Sequence, residues 1–185
     1  FGASDTTDFT WKQLLDFDAC TNCGRCQDNC PAYLSGKELS PRKVIQDLRA
    51  YSTYRGEQML RATAAGEEPP EPESSMIGDF VGQTPVWDCV TCGACMEACP
   101  VFIGHIDSIV DMRRYLVMEQ ASMPEGAEGV LVNMEQRGHP WRGTPSTRTD
   151  WMQGLGVNTM AENPDVEVLL WVGCTPALNE QNQKV

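Results

Sequence analysis

Residues 20–31 read CTNCGRCQDNCP, and residues 89–100 repeat the pattern as CVTCGACMEACP. In each copy, three cysteines follow one another at intervals of three residues, a fourth comes four residues later, and a proline follows it. The chain therefore contains two copies of one short structural unit. Thiols so close in sequence are badly placed to form disulfides with each other, so the pattern indicates metal ligation in a reducing compartment such as the cytoplasm.

The spacing is that of ferredoxins with two 4Fe-4S clusters, in which the cysteine before the proline reaches the cluster of the other motif. We therefore assign Cys20, Cys23, Cys26 and Cys99 to one cluster and Cys89, Cys92, Cys95 and Cys30 to the other. Such clusters carry single electrons, and no catalytic residue is predicted. The alternative outside the redox proteins is a structural scaffold that binds zinc. The three tandem cysteines followed by Cys-Pro favour iron and sulfide over zinc.

The surroundings of the clusters can also be predicted. Backbone N–H groups should point at the sulfurs, with Gly24 and Gly93 allowing close approach. We expect an apolar shell that tunes the clusters, formed by Val90, Val101, Phe102 and Ile103. We interpret His105 as a packing or capping residue, and Arg113 and Arg114 as a solvated face in preference to a docking or potential-raising role.

The rest of the sequence predicts a mainly α fold. Helices are expected over about residues 11–15, 41–65, 106–119 and 124–138. Thr10 with Gln13 resembles a capping box, Pro41 suits a first helical turn, and Gly66 suits a helix end. The second helix has apolar residues at an approximately helical period: Val44, Ile45, Leu48, Tyr51, Met59 and Leu60.

Composition divides the chain into segments. Residues 1–137 are predicted to form an α-helical domain with both clusters, and residues 67–75, EEPPEPESS, a surface loop within it. Residues 138–164 have the composition of a linker. Residues 165–172, DVEVLLWV, read as a buried strand that opens an α/β domain over residues 165–185.

The formal charge of -12 argues against nucleic acid as a partner. The clusters would add further negative charge to the chain. This charge favours partner proteins with basic patches, and it acts mainly on the rate at which the two proteins meet. The longest apolar run, residues 168–172, is far too short to span a bilayer.

Beyond the cysteines, the chain resembles the iron-sulfur oxidoreductases related to heterodisulfide reductase. The resemblance rests on DFTWKQLLDFDACTNCGRCQDNCPAY, LSPRKVIQDLR, WDCVTCGACMEACPVFIGHIDSIVDMRRY, MEQRGHPW and the later TDW. It is strongest to the membrane-bound reductases that pass electrons from electron-transfer flavoprotein to menaquinone. Gly138-His139-Pro140 departs from the expected Gly-Asn-Pro.

The resemblance implies a relay of single electrons, with electron-transfer flavoprotein or another flavoprotein as the redox partner. It further implies attachment to a membrane through a segment upstream of Phe1, access to quinone, and a place at the cytoplasmic face of the cell membrane. The alternative within redox proteins is the iron-sulfur subunit of a soluble heterodisulfide reductase, glycolate oxidase or glycerol-3-phosphate dehydrogenase complex.

The same resemblance bears on the ninth cysteine. Members of the group continue into CCG domains, in which a Gly-Cys pair follows a strand, and Trp171-Val172-Gly173-Cys174 matches that opening. Cys174, otherwise a lone buried thiol, thereby becomes a candidate ligand of a further, noncubane 4Fe-4S cluster. The cysteines that would complete such a cluster belong to a downstream domain that is missing from this sequence.

Overall fold

The computed structural model describes residues 1–141, 145–179 and 181–182, which form helices and no strand. The chain divides into two compact units, Phe1–Ser122 and Met123–Val185. The α-helices are α1 Trp11–Ala19, α2 Arg25–Asp28, α3 Pro31–Leu34, α4 Pro41–Ala65, α5 Gln83–Asp88, α6 Ala94–Glu97, α7 His105–Met118, α8 Glu125–Arg137 and α9 Cys174–Leu178. Short 3-10 helices span Thr6–Asp8 and Pro145–Met152.

Two helices each end where a cysteine motif begins. The predicted capping box is confirmed at the start of α1, where Thr10 Oγ1 accepts from the Gln13 amide at 3.3 Å and Gln13 Oε1 accepts from the Thr10 amide at 2.9 Å. The helix continues past the predicted end and stops at Cys20, and the unpredicted helix α5 stops in the same way at Cys89. The first cysteine of each motif is therefore held by the end of a helix.

The long helix α4 forms one wall of the core of the first unit. Ser40 caps it by accepting from the Lys43 amide at 3.2 Å, Pro41 is its first residue, and Gly66 ends it at φ +69°, as predicted. Leu60, which fits the helical period of apolar residues, is 72% exposed. After Arg55 only Ala62 is buried, because this end of the helix extends beyond the core.

The core of the first unit fills the space between α1, α4 and α7. Its fully buried side chains include Phe17, Ile45, Leu48, Tyr51, Ile103, Ile109, Met112 and Leu116. Each such side chain contributes about 1.5–3 kcal/mol relative to an exposed position. Residues 67–75 form the predicted surface loop, anchored where Arg55 Nη1 donates to the Pro70 carbonyl at 2.6 Å. This core supports the two cysteine loops.

The second unit contains α8 and α9. Helix α8 ends at Gly138, φ +70°, as predicted, and its N-cap is Pro124. The prediction of a buried strand at residues 165–172 is wrong for the described residues: the segment is unpaired, and all of it except the half-buried Val172 is exposed. A strand requires hydrogen bonds to a neighbouring segment, and no described segment supplies them. Residues 142–144 of the predicted linker, and 180 and 183–185 of the predicted last domain, lie outside the described residues.

Candidate metal centres

The two cysteine loops adopt the same backbone conformation. Asn22 and Gly24 have φ values of 56° and 86°, and Thr91 and Gly93 have φ values of 54° and 83°. Left-handed conformations are costly for residues other than glycine, above all for β-branched threonine, so their repetition reflects a shared requirement of the loops. Each loop then enters a single turn of helix, α2 or α6, which carries the third cysteine.

The cysteines surround two cavities. The first cavity is lined by Cys20, Cys23, Cys26 and Cys99. The second cavity is lined by Cys89, Cys92, Cys95 and Cys30. Each cavity thus has three cysteines from one motif and the last cysteine of the other, because α2 packs against α6 and brings the two loops together.

The third and fourth cysteines of each motif are buried. Burial is the main cause that raises the pKa of Cys26 to about 11 and that of Cys95 to about 12. Neighbouring thiolates add to both shifts, among them Cys26 acting on Cys95. The two cavities are therefore neighbours, and their sulfurs repel one another when charged unless a cation is bound between them.

Backbone N–H groups point at several sulfurs, as predicted. The Thr91 amide donates to Cys89 Sγ at 3.4 Å, and the buried Ile103 amide donates to Cys99 Sγ at 3.4 Å. The backbone amide of Arg25 is the main cause that lowers the pKa of Cys23. These donors favour the thiolate form, which is the form that binds iron.

The donor set fits iron-sulfur clusters. All nine cysteines are free thiols, and four of them line each cavity, matching the four thiolates that a 4Fe-4S cluster takes. Among the described residues, no three His, Cys, Asp or Glu side chains converge on the position of a single metal ion. The cysteine sulfurs instead line the walls of two cavities.

The two cavities differ in the rest of their lining. Besides cysteines, the lining of the first cavity combines the polar residues Arg42, His105, Thr21 and Asn22 with Gly24, Pro100, Val101 and Ile103. The second is lined otherwise by glycine and apolar residues, including Leu39, Pro41, Ile106 and Ile109. Sequence reasoning did not identify Arg42, whose spacing from the cysteines carries no motif.

His105 lies at the start of α7 and is 2% exposed. Its Nδ1 lies 3.0 Å from the Ile103 carbonyl oxygen, which can only accept, so Nδ1 carries the proton. Burial lowers the pKa of His105. The predicted packing role is confirmed, and the ring also lines the first cavity.

The predicted apolar shell is confirmed only in part. Ile103 is buried and lines the first cavity, as does the more exposed Val101. Val90 lines the second cavity but is 65% exposed. Phe102, which has a φ of +57°, lines neither cavity and is 82% exposed.

The interpretation of Arg113 as a solvated residue is wrong. Its guanidinium donates to the carbonyls of Val86 at 2.9 Å, Trp87 at 3.3 Å and Cys89, and lies 5.4 Å from the Trp87 ring centroid. These carbonyls belong to the last turn of α5, where helical acceptors lack partners. Arg113 therefore fixes the segment that presents Cys89, whereas Arg114 is exposed and paired with Asp111, as expected of a solvated residue.

The ninth cysteine belongs to the second unit. Cys174 begins α9, is partly buried, and accepts from Arg148 Nη2 at 3.6 Å. His139 follows α8 in a loop and is fully buried.

These features define an iron-sulfur protein of the ferredoxin type. In agreement, residues 19–103 match the family described as 4Fe-4S dicluster domain. Relatives that match the chain include proteins named as oxidoreductases, among them polypeptides of heterodisulfide reductase.

Three relatives illustrate the group. The EtfAB:quinone oxidoreductase of Syntrophomonas wolfei is 40% identical over 100% of this chain and 29% of its own length. The probable membrane-anchored ferredoxin of Chromohalobacter salexigens is 37% identical over 93% of this chain and 27% of its own length. One polypeptide of the dihydromethanophenazine:CoB--CoM heterodisulfide reductase of Methanosarcina barkeri is 28% identical over 95% of this chain and 41% of its own length.

The chain therefore spans less than half the length of each of these relatives. None of the helices described is long and apolar enough to cross a membrane.

Proposed function

We propose that this chain relays single electrons through two 4Fe-4S clusters, from an electron-transfer flavoprotein towards menaquinone. The first-cavity cysteines would hold one cluster and the second-cavity cysteines the other. When bound, the clusters supply the one-electron chemistry; the residues described here hold them, order the loops and keep water from their inner faces. Support for the route comes from the relative named as a quinone oxidoreductase of EtfAB, which matches along the whole chain.

The exchange of the fourth cysteine between the motifs is the observation that carries the proposal. Cys99 lines the cavity of the first motif, and Cys30 lines that of the second. Each loop supplies three thiols to its own cavity and one to its neighbour, so neither motif completes a ligand set alone. The exchange also keeps the clusters adjacent, as electron hopping requires.

The test compares Cys99→Ser with Cys30→Ser in protein purified without oxygen, using electron paramagnetic resonance. Cys99→Ser should alter the signal of the first-cavity cluster and spare the other, and Cys30→Ser should do the reverse. Iron should amount to about eight atoms per unchanged chain. Loss confined to the cluster of the replaced cysteine's own motif would contradict the exchange, and zinc in place of iron would favour a structural scaffold.

A soluble heterodisulfide reductase type of complex is the second candidate. The match to the heterodisulfide reductase polypeptide of Methanosarcina barkeri, which covers 95% of this chain, supports the heterodisulfide reductase type and carries no information on solubility. The two routes differ in their electron donor. Rapid reduction of the full-length protein by reduced electron-transfer flavoprotein, with a membrane quinone as acceptor, would favour the first route; reduction by a thiol or another flavoprotein alone would favour the second.

The proposal extends to location and to Cys174. We place the chain at the cytoplasmic face of the cell membrane, since quinone resides in the membrane and one relative is named as a membrane-anchored ferredoxin. Residues 165–185 would open a CCG-type domain, and Cys174 would be one ligand of a noncubane cluster completed by cysteines outside this sequence. Comparing the iron content of full-length protein with and without Cys174→Ser tests this assignment.

A further inference from the structure

We propose that Arg42 raises the reduction potential of the first-cavity cluster, so that electrons pass from the second-cavity cluster to the first. The inference rests on the proposed function, because it requires a cluster in each cavity. It assigns a direction to the relay and a role to a residue outside both motifs.

Arg42 is a half-buried cation without a partner. It lies in the first turn of α4 and lines the first cavity. Within the described part of the chain, its guanidinium forms no hydrogen bond and no ion pair. The two other arginines in the first unit that are not exposed are engaged: the buried Arg55 pairs with Asp5 at 2.8 Å, and the half-buried Arg113 donates to backbone carbonyls. A partly buried charge without a protein partner is stabilised by a counter-charge in the adjoining cavity.

A 4Fe-4S cluster with four thiolates supplies that counter-charge. Its net charge is about -2 when oxidised and about -3 when reduced. A fixed positive charge beside the cavity therefore stabilises the reduced form more than the oxidised form. Because the charge is partly shielded from solvent, water and salt screen it less than they would an exposed cation.

Among the described residues, none that lines the second cavity is a cation. Its residues other than cysteine are glycine and apolar side chains, which disfavour the extra negative charge of the reduced form. Arg113 lies near Cys89 but is not part of the lining, and it donates to three carbonyls. In the transfer, the second-cavity cluster is oxidised by one electron and the first-cavity cluster is reduced by one. No bond is formed or broken, and no proton moves.

A redox titration followed by electron paramagnetic resonance tests the proposal on the chain with both clusters. The variants are Arg42→Gln and, as a matched control, Lys43→Gln, which removes the same charge from the same helical turn. Lys43 points to solvent, with its side chain 67% exposed, and pairs with Asp47. The signals are assigned to cavities with Cys99→Ser and Cys30→Ser.

In the unchanged chain, the first-cavity cluster should be reduced at the higher potential. Arg42→Gln should lower its equilibrium constant for reduction about tenfold, or about 59 mV for one electron, and leave the second-cavity cluster unchanged. Lys43→Gln should shift neither cluster, and Arg42→Lys should retain most of the effect.

The proposal is overturned if Arg42→Gln shifts neither cluster or shifts both equally. It is also overturned if the second-cavity cluster is reduced first in the unchanged chain, a measurement that does not depend on how the variants fold. Iron content separates failure of this inference from failure of the proposed function. If the chain holds about eight irons and gives two cluster signals, but Arg42→Gln has no effect, only the role of Arg42 is rejected. If the clusters are missing, the proposed function itself is rejected.

Discussion

Replacement of Arg113 by methionine should destabilise the segment that presents Cys89. Its guanidinium makes three hydrogen bonds to the end of α5 and a cation–π contact with Trp87. A hydrogen bond to a charged group contributes about 1.5–3 kcal/mol, and a cation–π contact about 0.5–2 kcal/mol. These contributions are not additive, so a loss of about 2–4 kcal/mol is expected for Arg113→Met.

Arg114→Met is the matched control on the same helix. The Arg114 side chain is 60% exposed and pairs with Asp111 three residues earlier, an interaction worth less than about 1 kcal/mol. Anaerobic thermal unfolding, followed by circular dichroism and by the visible absorbance of the clusters, measures both variants. The midpoint should fall clearly for Arg113→Met and hardly at all for Arg114→Met, with the second-cavity cluster lost first. Equal midpoints for the two variants would refute the role assigned to Arg113.

Three further predictions concern the fold of the first unit. Gly2→Ala should destabilise it more than Gly36→Ala in thermal unfolding: both residues have φ above +80°, but a Cβ at Gly2 would lie 2.2 Å from the backbone of α7, whereas one at Gly36 meets nothing within 4 Å. Leu48→Ala should cost about 2–5 kcal/mol in chemical denaturation, whereas Leu60→Ala, on the exposed end of the same helix, should cost little. Burial raises the pKa of Tyr51 well above its usual value near 10, so only the unfolded chain ionises as pH rises past about 10 and stability should fall there; a Tyr51→Phe variant should show a smaller fall.

The sequence could predict the features that depend on local chemistry. The cysteine spacing indicated the metal site, and the structure groups the eight cysteines into the two sets that were assigned. The Thr10 capping box and Gly66 at the end of α4 were also predicted, because caps are satisfied by residues a few positions away.

Features that depend on distant parts of the chain were not predictable in the same way. Arg113 donates to carbonyls of residues 24 to 27 positions earlier in the chain. Every residue has a backbone carbonyl, so no sequence pattern indicates which of them accept a hydrogen bond. Leu60 fits the helical period of α4 but lies past the edge of the core, whose extent no periodicity reveals. The apolar run at residues 168–172 has strand composition, but a strand also needs a neighbouring segment with which to pair.

Arg42 and Arg113 show why hydrogen bonding, and not burial, separates a structural arginine from one that acts on a cofactor. Both are half-buried beside a cysteine cavity. Arg113 uses its donors on carbonyl oxygens, whose dipoles offset part of its charge, so its removal should cost stability and shift a potential only slightly. Arg42 has no partner among the described residues, so its field acts on the cavity and its removal should shift a potential at little cost in stability. The two variants should therefore separate folding from redox tuning, and a large potential shift in Arg113→Met with none in Arg42→Gln would reverse the assignment.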